Sequence, residues 1–356
     1  MKYILFYIAL ALSTLTVSAQ KTENLIIIGW DGVRWQEVFT GVDSSIMNNH
    51  SYTRRSAEMR AGMWDNDPMV RRKKLFPFFW DSIGTKGQLY GNRTLGNKVD
   101  VANRWHVTNA GFTETLIGFA DSAINGNHSV PEKNTNVLGF ISSQPAYKGK
   151  VAVFATSKLY DNILNVNRGG LIINCDSEEV ARPGAAFQLL NEEQRLSPQI
   201  FGERLDLVTY FQAKEYVKEY HPRVLYINFS EPDNYAHAGS YDWYISTIHG
   251  QERLIAELWN YIQSIPQYRG KTTLLVSNDH GRGGTVAHWT EHGPQPVESK
   301  EIFVMAMGPD MQPLGEMNAD MQLYQGQIAA TLAKFLGLDY TAEHPVMPAI
   351  STMFKK

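Results

Sequence analysis

Carboxylates and imidazoles with the look of metal ligands stand at four places in this chain. Trp30-Asp31-Gly32, Ser230-Glu231-Pro232-Asp233 running on to His237, and Asn278-Asp279-His280 each follow an aliphatic run, and Glu291-His292-Gly293 lies in a polar stretch beyond the last of them. Carboxylate with imidazole is the donor set of zinc and similar divalent ions. Asp31, Asp233, His237, Asp279, His280 and His292 are too many for one tetrahedral site. They suit two ions, each with a position left open for substrate. A lone Asp or His in a loop is more often a cap, a turn or a surface group, and Asp-Gly is a common turn. Spacing argues against that reading here. Asp233 and His237 are four apart, so one helical turn brings both to one face, and Asp279 and His280 sit just past a strand end, where both can turn toward one ion.

A nucleophile would complete such a centre. Val107-Thr108-Asn109-Ala110-Gly111-Phe112-Thr113-Glu114-Thr115-Leu116-Ile117-Gly118 reads as a polar turn feeding a helix. Unpaired N–H groups at a helix N-terminus favour a bound phosphate. Thr108, Thr113 and Thr115 all carry hydroxyls, and residue type alone does not choose among them; the structural alternative for each is an N-cap or an exposed helix position.

The elements that must hold these groups are short runs rich in aliphatic and β-branched residues: 24–29, 150–155, 224–229, 272–277 and 301–307. They read as buried parallel strands. Helical patterns lie between them, clearest over 201–220 and 241–265. Strand alternating with helix predicts an α/β fold, a mostly parallel central β-sheet with helices on both faces. In such sheets ligands bind beyond the carboxyl ends of the strands, where the acids stand. No internal repeat or linker divides the chain, and 169–199 reads as an irregular insertion.

Met1 to Ala19 carries a lysine at position 2, an apolar run from Ile4 to Val17 and small residues at Ser18 and Ala19. That is the pattern of a secretory signal peptide, and the run is short of the ~20 apolar residues of a membrane span. The expectation is an exported chain, periplasmic or secreted, with no membrane anchor after cleavage. The single cysteine, Cys175, excludes an internal disulfide. A formal net charge of −3 argues against a nucleic-acid-binding surface. Arg71-Arg72-Lys73-Lys74 reads as solvated surface.

Taken together, these residues resemble the alkaline phosphatase superfamily, in which a Ser or Thr nucleophile precedes a glycine at a fixed interval. Thr108 with Gly118 reproduces that interval, and Thr113 does not. The resemblance runs from Asp31 to about Gly308 and implies one alkaline phosphatase-like catalytic domain over 20–356. It implies that Asp31, Asp279 and His280 hold one metal, which also contacts the Thr108 oxygen, and that Asp233, His237 and His292 hold the other, zinc in both. Asn127 resembles an asparagine that contacts a phosphoryl oxygen in the diesterase branch, although the loop here is two residues shorter. Arg168 is a second candidate substrate contact by charge and position. The activity implied is hydrolysis of a small phosphate ester, a monoester first and a diester or nucleotide pyrophosphate second. A sulfatase fits less well, because its nucleophile is a converted Cys or Ser and Thr108 cannot be converted. A secreted binding protein on an inactive scaffold is the alternative from another class, and the filled ligand set speaks against it.

Overall fold

The computed structural model describes residues 20–127, 131–165 and 170–355. The expected signal peptide, residues 1–19, lies outside them. Among the described residues are eleven strands: β1 (Asn24–Trp30), β2 (Gly87–Tyr90), β3 (Asn97–Asp100), β4 (Val151–Ala155), β5 (Ile172–Cys175), β6 (Val224–Phe229), β7 (Thr272–Asn278), β8 (Glu301–Ile302), β9 (Val304–Met307), β10 (Gly315–Glu316) and β11 (Met321–Tyr324). Eight of them form one sheet in the order β10-β2-β9-β7-β1-β6-β4-β5, and β11-β3-β8 form a small second sheet. From β7 through β1, β6 and β4 to β5 every pairing is parallel.

Alternation of side chains along each strand sends residues to both faces of the large sheet. On β1, Ile26, Ile28 and Trp30 enter one core while Leu25 and Ile27 enter the other. The first core is closed by the helices Asp206–Tyr220 and Tyr241–Ser264, through residues such as Tyr216, Tyr244 and Ile255. The second is closed by the helices Thr108–Ile117, Val137–Ser143 and Gln327–Phe335, through Phe112, Ile141 and Leu332. Both faces are therefore buried, and near-continuous apolar strands are what that requires.

Three details differ from the sequence expectation. The run 301–307 is not one parallel strand. It breaks at Phe303, whose N–H donates to the Asn278 carboxamide at 3.0 Å, and β9 pairs antiparallel with β7. The helix expected over 201–220 begins at Asp206, because the chain before it turns at Phe201, which takes a left-handed φ of 65°, and is still extended at Leu205. Finally, the segment read as an irregular insertion supplies β5, which extends the sheet beside β4, and the helix Ala185–Leu196.

Register decides where the chemistry sits. Trp30 lies opposite Phe229 on one side and Asn278 on the other. The residues that follow, Asp31, Ser230 and Asp279, therefore leave the sheet at one level.

Candidate active site

Each turn off the sheet is fixed by hydrogen bonds to its backbone. The Asp31 N–H donates to the Phe229 carbonyl at 2.9 Å. Gly32 then takes a left-handed φ of 63°, and a Cβ there would fall 2.4 Å from Asp233 Oδ1. Only glycine satisfies both constraints. Beyond β6, the buried Asp206 carboxylate accepts from the Ser230 and Glu231 N–H groups, both at 2.9 Å. Capping of these two N–H groups by the Asp206 side chain starts the helix Glu231–His237, which carries Asp233 and His237 one turn apart. Beyond β7, the Asn278 Nδ2 donates to the Val33 and His280 carbonyls, both at 2.8 Å. Gln325 Nε2 donates to the Asn278 and Asp279 carbonyls at 2.9 Å each.

Asp31, Asp279 and His280 converge. His280 Nε2 is 3.4 Å from Asp31 Oδ1 and 3.4 Å from Asp279 Oδ2. All three atoms are buried and, among the described residues, have no hydrogen-bond partner. Orphaned polar atoms are rare in protein interiors. The His280 Nδ1 lies 3.0 Å from the Gly281 carbonyl, a pairing that places the proton on Nδ1 and leaves the Nε2 lone pair facing the two carboxylates. Burial, and then the charge of Asp233 on Asp31 and of Asp31 on Asp279, raises both carboxyls well above the ordinary range. Three unpaired donor atoms with two reluctant carboxylates are the surroundings a divalent cation satisfies.

Asp233, His237 and His292 form the adjoining group. His237 Nε2 is 3.1 Å from Asp233 Oδ2 and 2.9 Å from His292 Nε2. His292 Nδ1 pairs with the His106 carbonyl at 2.9 Å, again freeing Nε2. Burial, and then the neighbouring His280, depresses the His292 imidazole to about 2. The two groups touch through His280, whose ring stacks on His292 with centroids 3.9 Å apart and whose Nε2 is 3.7 Å from Asp233 Oδ1.

Thr108 opens the helix Thr108–Ile117, all ten residues of which are buried. One turn on, a Cβ at Gly111 would lie 2.3 Å from the Asp279 carbonyl oxygen. The face shared by Thr108 and Gly111 is therefore pressed against the Asp279 backbone. Thr115 donates to the Gly111 carbonyl at 3.1 Å and Thr113 to Asn109 Oδ1 at 3.4 Å. Both hydroxyls are spent within the helix. The Thr108 hydroxyl makes no hydrogen bond among the described residues. Asn127 also stands at this helix start, where its Oδ1 accepts from the Asn109 N–H at 2.9 Å, leaving Nδ2 as its donor. Arg168 lies outside the described residues.

Residues that sequence reasoning passed over hold these parts together. Glu114 accepts from the Asn103 N–H at 2.8 Å, the Ala102 N–H at 3.0 Å and the Gly326 N–H at 3.2 Å, which ties down the loop before Thr108. Arg282 is buried among the loops. Its Nε donates to the Gly32 carbonyl at 3.1 Å, Nη1 to the Thr290 carbonyl at 2.7 Å, and Nη2 to the Asp233 carbonyl at 3.0 Å and to Asp233 Oδ1. Burial alone would raise the Asp233 carboxyl, but Arg282, His292 and His237 together hold it well below the ordinary range. A loop arginine in Gly-Arg-Gly-Gly carries no sequence signal of such burial.

No family model and no curated protein matches the sequence, but its fold is shared with solved structures. The alkaline phosphatase PafA superposes with a TM-score of 0.62 at 10% identity, over 94% of this chain and 99% of that one. The phosphonate monoester hydrolase of Agrobacterium radiobacter superposes at 0.58 with 10% identity, over 93% and 77%. The 2-O GAG sulfatase BT1596 does so at 0.56 with 12% identity, over 93% and 74%. The chain shares the fold of these phosphatase, hydrolase and sulfatase structures.

Proposed function

We propose that this chain, on its alkaline phosphatase superfamily fold, is an exported phosphoesterase that hydrolyses small phosphomonoesters through a phosphothreonine on Thr108. The observation that carries the reading is the convergence of three buried, unpaired atoms, Asp31 Oδ1, Asp279 Oδ2 and His280 Nε2, beside a helix that begins with an unengaged threonine. Asp31, Asp279 and His280 would hold one divalent ion and Asp233, His237 and His292 a second, with zinc favoured by the nitrogen and carboxylate donors. When bound, such ions supply Lewis acidity that lowers the pKa of a coordinated oxygen and neutralises charge on a phosphoryl group.

The residues of the chain do the rest. The helix N-terminus orients the phosphoryl group toward Thr108, and Asn127 offers Nδ2 to one of its oxygens. The Thr108 oxygen forms a bond to phosphorus while the ester bond breaks; the threonine proton is lost to water and the leaving alkoxide is protonated from solvent. Water then attacks the phosphothreonine, the bond to Thr108 breaks, and inorganic phosphate departs. Glu114 and the His106 carbonyl keep the nucleophile loop and His292 in register throughout. Diester hydrolysis is the second reading, favoured by the position of Asn127 at the helix start.

Rates on p-nitrophenyl phosphate and bis-p-nitrophenyl phosphate decide between the two. The account predicts faster turnover of the monoester. The reverse order would assign the diester, and failure of the zinc-loaded protein to turn over either would contradict a phosphoesterase and favour a binding protein.

A further inference from the structure

The two donor groups are unequal, and Arg282 is the cause. Asp31, Asp279 and His280 present two carboxylates and one imidazole, all fully buried, and Asp279 Oδ1 is spent only on the Gly32 N–H at 3.1 Å. Asp233, His237 and His292 present one carboxylate and two imidazoles. That single negative charge already faces a guanidinium, because Arg282 Nη2 donates to Asp233 Oδ1. Arginine stays charged at every accessible pH, so the one carboxylate of the Asp233 group is already paired with a cation, whereas among the described residues the two carboxylates of the Asp31 group face only the His280 imidazole as an ion-pair partner.

Two further features point the same way. Asp233 Oδ1 is shared with the guanidinium, and Oδ2 lies on the His237 side. His237 itself has 48% of its side chain exposed, against none for Asp279 and His280. A donor set with its charge cancelled, one oxygen shared with an arginine and one arm in solvent binds weakly and exchanges quickly. Resting on the two-ion reading above, we infer that the protein retains one ion at Asp31, Asp279 and His280 and recruits the second, at Asp233, His237 and His292, reversibly from solution, with Arg282 as the positioning residue that sets the difference. The second ion then acts as a switch: the level of free divalent metal outside the cell sets the fraction of molecules with both sites filled.

The arginine need not be a mere defect in the second site. It joins the backbones of Gly32, of Asp233 in the helix Glu231–His237 and of Thr290. The brace keeps the second site assembled while its charge keeps that site loose. A positive charge a few ångströms from a divalent ion, at the effective dielectric of protein sites, changes affinity on the order of tenfold or more.

Zinc titration of the chelator-stripped full chain against a chromophoric chelator tests this. Wild type should show two steps separated by about a hundredfold or more. Asp279→Asn should remove the tight step, and His237→Ala only the weak one. Arg282→Met, which removes the charge, should tighten the weak step at least tenfold although the ion-free protein melts lower for loss of the brace; Arg282→Lys should keep the gap. A merely structural arginine would instead give a looser second step in Arg282→Met. If that variant does not fold, the two ligand variants in the wild-type background still decide. Two steps of equal affinity, loss of the tight step in His237→Ala, or a loosened second step in Arg282→Met would overturn the inference. The readout is binding, so an inert protein with two unequal steps would reject the phosphoesterase and keep this inference, and an active enzyme with equal steps would do the opposite.

Discussion

His292 Nδ1 lies 2.9 Å from the backbone carbonyl of His106, two residues before Thr108. One imidazole of the candidate centre is thus aimed by the main chain that delivers the candidate nucleophile. His106 holds a left-handed φ of 46° to present that carbonyl, a conformation that costs a non-glycine residue on the order of 1 kcal/mol or more.

That geometry gives the first prediction. His106→Gly keeps the backbone accessible and should retain turnover within a few-fold. His106→Pro, with φ fixed near −65°, swings the carbonyl away from His292 and should lower kcat at least tenfold with loss of the more weakly held ion. Steady-state kinetics with metal analysis on the same samples checks both; equal activity in the two variants would show that the carbonyl does not aim His292.

The second concerns Asp31 and Asp279. In the ion-free protein their carboxyls are raised well above the ordinary range by burial first and then by neighbouring charge. The folded state therefore binds more protons than the unfolded chain at any pH between the unfolded value of about 3.9 and the raised folded values. The stability these groups confer falls as pH rises through that window. His292, held to about 2 by burial, acts oppositely, but its contribution is complete once pH passes the unfolded imidazole value of about 6.5. A bound divalent ion favours the ionised carboxylates, so zinc should raise the melting temperature more at about pH 8 than at about pH 5.5. Asp31→Asn should be stabler than wild type without metal, by about 1–3 kcal/mol, and should lose about one ion per chain. Calorimetry with and without zinc at the two pH values reads all of this, and a destabilised ion-free Asp31→Asn would refute the cause assigned.

Gly111 supplies the third. A Cβ at this position would meet the Asp279 carbonyl oxygen at 2.3 Å and carbon at 2.8 Å, and both belong to backbone that cannot give way. Gly111→Ala should push the Thr108 helix off Asp279, costing about 1–3 kcal/mol of stability and more than a hundredfold in kcat. The kcat loss should exceed the change in KM. A variant with wild-type kinetics would show that Thr108 and Asp279 need no such approach.

Much of this was legible in the chain because it is local. Asp31, Asp233 and Asp279 follow aliphatic runs, and a buried parallel strand with a short polar exit leaves few alternatives for where its last acid lies. Asp233 and His237 share a face by helical spacing alone. The rest is non-local. Nothing in Gly-Arg-Gly-Gly distinguishes an exposed arginine from one enclosed by three loops, since the enclosure exists only once β1, β6 and β7 are paired in register. The break at Phe303 depends on Asn278, a residue 25 positions earlier. The helix expected from 201 starts only at Asp206, after a turn at Phe201, whose positive φ no propensity for phenylalanine predicts, and an extended Leu205. Among Thr108, Thr113 and Thr115, residue type does not choose; that the last two hydroxyls are bonded within the helix is visible only once it is folded.

The claim on which the account turns is that Thr108 carries the phosphoryl group. Thr108→Ala should keep both ions, since six other side chains supply donors, and lose turnover by several orders of magnitude; Thr108→Ser should keep measurable activity, and Thr113→Ala and Thr115→Ala should change kcat only modestly. The most direct measurement is acid-quench peptide mapping of the zinc-loaded wild type during turnover of a labelled phosphomonoester. The account predicts one phosphorylated peptide with the label on residue 108, absent from Thr108→Ala. A label on Thr113 or Thr115, or an active Thr108→Ala enzyme, would contradict it.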